Sequence, residues 1–307
     1  MSLHLKYRPV NLDQLEGNPT TVKSLRAVLS KPPEDIPRAW LFTGPSGCGK
    51  TTLGRIVADE LGAVGNDFTE MDSADFRGID TIREMRKRMP FSPMDPDSKC
   101  RAWLLDECHQ LSKDAQSALL KALEDTPKHC HLILATTDPD KLLKTIRNRC
   151  STFTVSLLSD RQIVKLLKGI CKAEKKKTPE EALERIGRDC LGSARAAVVM
   201  LDRIIDMDED DMLDAIDAAA EEEAETILLC RALITQARWD KIADILKKIE
   251  DEPETVRRKV LGYLNAVVMG SPKKMESAYA TMDAFRDNFY DSGKAGLTMA
   301  CWEAISE

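Results

Sequence analysis

In the first half of the chain, short runs of apolar residues alternate with segments in which apolar residues recur at helical spacing. The apolar runs, which predict buried strands, are 39–43, 67–71, 102–105, 131–135 and 152–155. Apolar residues at helical spacing lie between them, as in Ala115, Ala118, Leu119 and Ala122, with Ser112 as a predicted N-cap. Strands that alternate with helices predict an α/β fold with a parallel sheet covered on both faces.

The strand pattern stops after Ser156, and the rest of the chain has only helical spacing. Residues 157–220 predict several short helices, and residues 221–307 predict longer ones. A length of 307 residues suits two or three domains. We therefore expect an α/β domain at 1–156, a small helical domain at 157–220 and an all-helical domain at 221–307.

The composition indicates a cytosolic protein with no membrane segment. Hydrophobic residues make up 43% of the chain, but no apolar run approaches the roughly 20 residues of a membrane span. The first residues have no apolar signal-peptide core, and the nine scattered cysteines contain no C-x-x-C pair. A net charge of −6 argues against non-specific wrapping of nucleic acid and leaves a local basic surface possible.

A glycine-rich loop follows the first predicted strand. The stretch GPSGCGKT at 44–51 fits the pattern G-x-x-x-x-G-K-[ST] at every fixed position. Such glycines turn backbone N–H groups towards phosphate oxygens, Lys50 reaches the β- and γ-phosphates, and Thr51 ligates Mg²⁺. The predicted cofactors are ATP and Mg²⁺. The predicted ATP-binding residues of the loop are Gly44, Gly47, Cys48, Gly49, Lys50, Thr51 and Thr52.

Two adjacent carboxylates, Asp106 and Glu107, end the predicted strand about 55 residues after this loop. An aspartate at this place holds Mg²⁺, usually through water, and the next glutamate accepts a proton from the attacking water. Thr137, which ends the next strand, is a candidate contact for the γ-phosphate or that water. An ordinary strand-end threonine in a turn is the alternative for Thr137. By composition alone, Arg149 and Arg195 would be surface arginines.

The ordered set of motifs resembles the clamp-loader branch of the AAA+ ATPases, which includes replication factor C small subunits and the bacterial DNA polymerase III gamma subunit. The resemblance covers about residues 5–205. The residues that carry it are KYRP at 6–9, LEG at 15–17, the glycine-rich loop, RGID at 77–80, DECH at 106–109, Ser112 with QSALLK at 116–121, ATTDP at 135–139, Arg149-Cys150 and GSAR at 192–195.

The resemblance implies a role for each matching residue. Lys50, Thr51, Asp106 and Glu107 form the ATP site, with Thr137 as sensor 1. Arg195 is sensor 2, and Arg8 with Pro9 lies by the adenine. Arg149 is the arginine finger, which acts in the ATP site of a neighbouring subunit. The three expected domains become an AAA+ ATP-binding domain, a helical lid and an oligomerising collar.

The resemblance also implies partners, and the sequence departs from the family in two places. Expected partners are copies of this chain with a different small subunit, a sliding clamp and primer–template DNA, in the cytoplasm of a bacterial or phage-infected cell. Asn148 replaces a family serine before the finger, and residues 61–68 lack the cysteines of the gamma subunit's zinc module. The second departure favours a replication factor C or phage type of loader.

Two other functions fit parts of the pattern. AAA+ proteins that act on recombination or Holliday junctions share the ATP-site motifs, but they lack the Arg-Cys and Arg-Gly-Ile-Asp stretches. An inert loader subunit is the other alternative, although such subunits usually have damaged phosphate loops and this loop is intact.

A basic helix at 79–89 supplies the predicted DNA contacts. Arg83, Arg86 and Lys87 fall at i, i+3 and i+4 and so share one face, while Ile82 and Met89 are able to face the sheet. The resemblance adds Arg77, which is also expected to sense DNA and free Glu107, and Lys141. A solvated basic helix is the alternative.

The proline-rich segment after this helix supplies a predicted clamp contact. Met89, Phe91 and Met94 put large apolar groups there, where burial in a core is not assured. The resemblance places clamp contacts in this region. The alternative is that Phe91 and Met94 pack under the sheet.

Overall fold

The computed structural model describes residues 2–73, 78–209, 211–213, 215–216, 225–249, 251–270, 275–289 and 292–306. It separates into two compact units, Met1–Met212 and Leu213–Glu307.

A parallel sheet lies at the centre of the first unit. Its strands, within the described residues, are β1 Ala39–Thr43, β2 Phe68–Asp72, β3 Arg101–Asp106, β4 Cys130–Thr136 and β5 Ser151–Thr154. They are arranged in the order β2-β3-β4-β1-β5, and every pair is parallel. The α/β sheet expected from the alternating pattern is confirmed.

Helices cover both faces of this sheet. The first unit contains α1 Leu3–Lys6, α2 Pro19–Leu29, α3 Lys50–Glu60, α4 Ile79–Arg88, α5 Lys113–Glu124, α6 Lys144–Arg147, α7 Asp160–Glu174, α8 Glu180–Asp189 and α9 Ala194–Ile204. Successive side chains of a strand point to opposite faces. Trp40 and Phe42 of β1 therefore enter one apolar core with Ile56 of α3, and Leu41 enters the other with Ile82 of α4.

The structure corrects one predicted helix and shifts two strands by one residue, of which β5 begins at Ser151 rather than at residue 152. The helix expected at 141–146 is a 3₁₀ turn, Pro139–Lys141, followed by the short α6. Leu142 between them has an extended backbone, which separates the turn from α6, and its side chain is only 2% exposed. Strand β2 begins one residue later than expected because Asp67 belongs to a 3₁₀ turn.

Helices α7 to α9 follow the sheet within the same compact unit. A capping box starts α7, since Ser159 accepts a hydrogen bond from the N–H of Gln162 while the Gln162 side chain accepts one from the N–H of Ser159. The first unit ends at Met212, whereas the sequence pattern places the end of the lid at residue 220. Residues 217–224 lie outside the described part of the chain.

All the regular elements described in the second unit are helices. Its helices are α10 Glu225–Ile234, α11 Trp239–Lys248, α12 Pro253–Gly270, α13 Met275–Ala284 and α14 Gly293–Ser306. Glu254, in the first turn of α12, accepts hydrogen bonds from Arg257, Arg258 and the N–H of Phe289. These contacts, that of Arg257 above all, lower the pKa of Glu254 to about 2. No helix among the described residues has the length and hydropathy needed to cross a membrane.

Candidate nucleotide site

The predicted site residues meet at one edge of the sheet. The glycine-rich loop follows β1, Asp106 and Glu107 end β3, and Thr137 follows β4. Strand β4 lies between β1 and β3 in the sheet. The carboxyl ends of parallel strands share one edge, where α/β proteins bind their ligands. Thr137 is therefore held between the loop and the two carboxylates.

The loop has backbone conformations that favour glycine. Gly47 and Gly49 have φ angles of +74° and +103°, in the left-handed region. A Cβ at Gly47 would overlap Ser193 Oγ, while Gly49, the N-cap of α3, has open space around it. The hydroxyl of Ser193 caps α9 by accepting a hydrogen bond from the N–H of Ala196. Glycine at 47 thus lets the loop approach the start of the helix that carries Arg195.

Lys50, Thr51 and Asp106 form the polar centre of the site. Lys50 is only 5% exposed, and its Nζ donates to the carbonyl oxygen of Pro45 at 2.8 Å. Thr51 Oγ1 donates to Asp106 Oδ2 at 2.6 Å. Burial raises the pKa of Asp106, although the Thr51 hydrogen bond and the Lys50 charge act against that rise. The half-buried carboxylate and the hydroxyl beside it are arranged for a cation, and the ammonium of Lys50 is arranged for an anion.

Glu107 is held by the end of the neighbouring strand. Its backbone is left-handed, with φ 45° and ψ 41°, which is uncommon for a residue with a side chain. Glu107 Oε2 accepts hydrogen bonds from Thr137 Oγ1 at 2.9 Å and from the Thr137 N–H at 3.2 Å. His109 Nδ1 lies 3.2 Å from the same oxygen.

These residues fit Mg²⁺ and a nucleoside triphosphate. Hydroxyl and carboxylate oxygens are the ligands Mg²⁺ prefers, so Thr51 and Asp106 would hold the metal. The loop N–H groups, the N-terminus of α3 and Lys50 would hold the phosphates. Bound Mg²⁺ neutralises phosphate charge. Of the other predicted loop residues, Gly44 and Thr52 are half-buried, and Cys48 is buried in the core on one face of the sheet.

Arg8 and Arg195 add positive charge to the same region. Burial lowers the pKa of Arg8, and the charges of Arg55 and Arg195 act in the same direction. The charge of Asp106 also acts on Arg8, so Arg8 lies within electrostatic reach of that carboxylate. Pro9 is half-buried and Arg195 is exposed. This concentration of positive charge favours a polyanionic ligand.

Arg149 does not reach this site within its own chain. It is exposed, and its Nη2 lies 2.6 Å from Glu124 Oε1. Its Nη1 also donates to the carbonyl oxygen of Thr145. Both partners belong to the surface formed by α5 and α6.

The predicted DNA-contacting cations that the structure describes are exposed or half-buried. Arg83 pairs with Asp80 at 3.1 Å and Lys87 with Glu84 at 2.5 Å. Lys141 pairs with Asp138 at 3.0 Å, and Arg86 is half-buried. Arg77 lies outside the described residues.

Of the three predicted clamp contacts after α4, two have exposed side chains and one has a buried side chain. Phe91 and Met94 are 64% and 71% exposed, so the alternative that they pack under the sheet is wrong. Met89 is 3% exposed and belongs to the core that α4 forms with the sheet. The prediction of Met89 as a clamp contact is therefore wrong, because its side chain continues the apolar stripe of Ile82 and Met85.

Buried polar groups fix the backbone of this segment. Asp67 accepts hydrogen bonds from the N–H groups of Met94 and Asp95 and pairs with Arg101 at 3.1 Å. Burial acts to raise the pKa of Asp67, but these backbone hydrogen bonds and the Arg101 charge bring it below its ordinary value. His129 Nε2 lies 2.9 Å from the carbonyl oxygen of Phe91. The exposed apolar side chains are thus carried by an anchored loop.

Comparison with known proteins agrees with the resemblance. A family model described as DNA polymerase III, delta subunit, matches residues 65–159. DNA polymerase III subunit gamma of Buchnera aphidicola subsp. Schizaphis graminum is 33% identical over 228 residues, 67% of this chain and 62% of that protein. The replication factor C small subunit of Methanosarcina barkeri is 33% identical over 198 residues, 63% of this chain and 58% of that protein.

This chain belongs to the clamp-loader branch of the AAA+ family. A third relative, DNA polymerase III subunit tau of Bacillus subtilis, is 30% identical over 279 residues, which are 83% of this chain and 47% of that protein. The clamp-loader chain described here thus spans less than two thirds of the length of each of these relatives.

The clamp-loader chain also resembles a solved AAA+ structure in its fold. The RuvB Holliday junction branch migration motor of Thermotoga maritima matches with a TM-score of 0.63 at 19% identity, over 91% of both chains. At this identity the likeness concerns the fold alone. The DNA polymerase III and replication factor C relatives, in contrast, are about one third identical to this chain in sequence.

Sequence reasoning missed His109 and the anchors of the exposed loop. His109 is part of the quoted DECH stretch, but its contact with Glu107 also involves the end of β4, about 27 residues away. The only local signal was a histidine two residues after a glutamate. The strand predicted at 67–71 includes Asp67, whereas the structure places Asp67 in a 3₁₀ turn from which it anchors the loop.

We expect Glu107→Gln to keep nucleotide affinity and to lose ATP turnover, because the substitution removes the proton acceptor alone. A well-placed general base contributes about 10²–10⁴-fold in rate. Lys50→Ala should instead weaken binding of a fluorescent ATP analogue. Wild-type turnover in Glu107→Gln would contradict the assignment of Glu107.

Proposed function

We propose that this chain is the ATPase subunit of a sliding-clamp loader, which uses ATP binding and hydrolysis to open the clamp and load it onto primer–template DNA. One observation supports the proposal: in a chain of the clamp-loader family, Thr51 Oγ1 donates to Asp106 and Thr137 Oγ1 donates to Glu107 at one edge of the sheet. An inert structural subunit would not need either contact.

Each site residue has a part in this proposal. Thr51 and Asp106 hold Mg²⁺, and Lys50 leaves the Pro45 carbonyl oxygen to bind phosphate oxygens. Glu107 accepts the proton of the attacking water once its carboxylate leaves Thr137. Arg195 and Arg8 bring positive charge to the nucleotide. Hydrolysis is expected to depend on Mg²⁺ and to be stimulated by DNA.

The loader is proposed to contain several copies of this chain and one different subunit, with the helical residues 221–307 as the oligomerising collar and 157–220 as the lid. Arg149 supports the oligomer, since it is exposed and lies away from its own ATP site on a weak surface pair with Glu124. In an assembly it would act on the γ-phosphate of a neighbouring subunit.

The exposed face of α4 is the proposed DNA contact, together with Lys141 and Arg77. The pairs of Arg83 with Asp80 and of Lys87 with Glu84 are exposed i,i+3 pairs. Exposed pairs of this kind are worth about 0–1 kcal/mol, so phosphate groups displace them at little cost. Contact with the DNA backbone would position the duplex without reading its sequence.

The anchored loop after α4 is the proposed clamp contact, through Phe91 and Met94. Exposed apolar side chains that lie close together mark interaction sites, whereas single ones are ordinary on a protein surface. Phe91 and Met94 are three residues apart in this loop. Because Asp67, Arg101 and His129 already hold the loop, little conformational freedom remains to be lost on binding.

We expect Arg149→Ala subunits, when mixed with Lys50→Ala subunits, to regain some ATPase activity. Mixed assemblies contain interfaces where an intact finger meets an intact phosphate loop, and such fingers contribute about 10³–10⁵ in some NTPases. Native mass spectrometry of the same mixture confirms assembly. Mixed assemblies that form and have no more activity than the two variants alone would contradict action in trans.

The test of the overall function is primer–template binding and DNA-stimulated ATPase activity across a salt series. Loss of one phosphate contact flattens the log–log salt dependence of binding by about 0.7–0.9 for each copy in the assembly. We expect this change in Arg83→Ala and Lys141→Ala, and not in Lys31→Ala, which removes an exposed lysine outside the proposed face. Unchanged slopes and unchanged stimulation in both variants would remove this face from the DNA site.

Phe91→Ala is expected to weaken binding to the sliding clamp of the source organism without lowering the melting temperature, because its side chain is 64% exposed. Met89→Ala is the matched control. Truncation of a buried methionine costs about 2–5 kcal/mol, so this variant should lower the melting temperature. Surface plasmon resonance and calorimetry measure the two effects. A Phe91→Ala protein that melts early and binds the clamp normally would refute the docking role.

A further inference from the structure

The N-terminal segment, residues 2–12, connects α7 and α9 to the sheet. Ser2 Oγ donates to Asp202 Oδ2 of α9 at 2.6 Å, and the buried Leu3 belongs to α1, which packs on α9. Leu12, at the other end of the segment, is buried in the core that contains Trp40 of β1. The residues between these two attachments therefore cross from the helices to the sheet.

Glu174, the last residue of α7, holds the middle of this segment. Its Oε1 accepts hydrogen bonds from Lys6 Nζ and from the Tyr7 hydroxyl, each at 2.5 Å. Arg8 is the next residue along the chain. We propose that Glu174 is a positioning residue, which fixes Arg8 at the nucleotide site through these two contacts and so sets how long a nucleotide stays bound. This inference rests on the proposed ATPase function.

The hydrogen bonds keep Glu174, Lys6 and Tyr7 in the forms that bind one another. A carboxylate oxygen only accepts hydrogen bonds, while an ammonium and a phenol both donate them. The Lys6 and Tyr7 hydrogen bonds lower the pKa of Glu174, and the Glu174 hydrogen bond raises the pKa of both donors. Each shift favours the protonation state that makes the contact, so the contacts are present at neutral pH.

Arg8 lies where its position affects a bound nucleotide. Its side chain is half-buried. Burial lowers the pKa of Arg8, and the charges of Arg195 near the start of α9 and of Asp106 at the end of β3 also act on it. Adjacent Cα atoms are 3.8 Å apart, so a displacement of Tyr7 moves Arg8 as well. The hold of Glu174 on Tyr7 therefore extends to the site.

Loss of the Glu174 contacts would free a segment that a nucleotide must then order again. Restricting a binding group to its bound position raises affinity, because less conformational freedom is lost on binding. Changes in affinity of this kind appear mainly in the dissociation rate. We therefore expect faster release of nucleotide. The turnover rate should not fall, because Glu107 and its contacts at the edge of the sheet are unchanged.

The alternative for this contact is an ordinary surface ion pair, which contributes little. The side chains of Lys6 and Glu174 are 49% and 22% exposed. A matched pair on the same group of helices provides the control. Lys168 Nζ lies 2.5 Å from Glu180 Oε1, and the Lys168 side chain is also 49% exposed. This control pair joins α7 to α8 and leaves the N-terminal segment untouched.

The kinetic test follows the release of a fluorescent ADP analogue from the whole chain by stopped flow. We expect Glu174→Ala to speed release by up to about tenfold, the scale of one hydrogen bond, and to raise the KM for ATP without lowering kcat. Lys6→Glu should act in the same way. The double variant, Lys6→Glu with Glu174→Lys, should return release towards the wild-type rate because it restores the pair with reversed charges. Glu180→Ala should leave release unchanged.

A purely structural glutamate would behave differently. Glu174→Ala would then lower kcat and the melting temperature together, and the charge-reversed double variant would not recover. That result overturns the positioning role. Wild-type release and KM in Glu174→Ala overturn it as well, and so does an equal effect of Glu180→Ala.

A second measurement needs no nucleotide. Hydrogen–deuterium exchange of peptides that cover residues 2–9 and 50–60 reports on the N-terminal segment and on α3. We expect faster exchange at 2–9 in Glu174→Ala, because the hydrogen bond from the N–H of Tyr7 to the carbonyl oxygen of Leu3 would open more often. Exchange at 50–60 should not change. Wild-type exchange at 2–9 in this variant would mean that Glu174 does not hold the segment.

The two measurements separate failure of this inference from failure of the proposed function. Both use the chain without clamp or DNA, so they decide the role of Glu174 whether or not the chain loads a clamp. A wild-type chain whose ATPase activity is not stimulated by DNA would refute the proposed function. Normal hydrolysis and stimulation in the wild type, with unchanged nucleotide release in Glu174→Ala, would refute this inference alone.

Discussion

The pairing of β4 with both β1 and β3 is the interaction on which the site depends. Its register sets Thr136 opposite Thr43 at the start of the phosphate loop, and Leu134 opposite Leu105 next to the carboxylates. A slip of one residue would turn every side chain of β4 to the other face of the sheet. Thr137 would then no longer meet Glu107. The buried apolar residues on both faces of β4 exclude that slip, so core packing sets the chemistry at the edge.

Several residues at the carboxyl edge of the sheet have conformations or environments that are unusual for their type. Glu107 has a left-handed backbone, the Lys50 ammonium is buried, and Gly47 has a conformation in which a side chain would meet Ser193. The left-handed backbone of Glu107 costs of order 1–3 kcal/mol and persists because the surrounding structure enforces it, whereas glycine adopts a positive φ without this cost. Here the enforcing elements are the sheet and α3, whose buried apolar residues share one core. Strained residues at the end of a rigid scaffold are what a preorganised site requires.

The parts of the fold and site that follow from local rules could be predicted from the sequence. The alternating apolar runs indicated the strands, Ser112 is the N-cap of α5, and the glycine-rich loop has its expected context of strand and helix. Contacts between distant segments could not be predicted in this way. Spacing alone does not show that His109 would meet Thr136, because that contact depends on the pairing of β3 with β4.

Met89 shows the same limit within a single helix. Its spacing from Ile82 and Met85 favoured the core, while its neighbours in the sequence favoured a binding loop, and only packing decided between them. The roles of the exposed arginines stay predictions, since an exposed cation takes its function from a partner.

Helix α4 carries one proposed binding surface along its side and leads directly into the other. It has ten residues, so it spans about 15 Å at 1.5 Å per residue. Ile82, Met85 and Met89 fix it to the sheet and prevent it from turning about its own axis. The distance and the angle between the basic face of α4 and the loop with Phe91 are therefore fixed, because both are attached to the same packed helix. A ring of such subunits would set the spacing between duplex and clamp by the length of this helix.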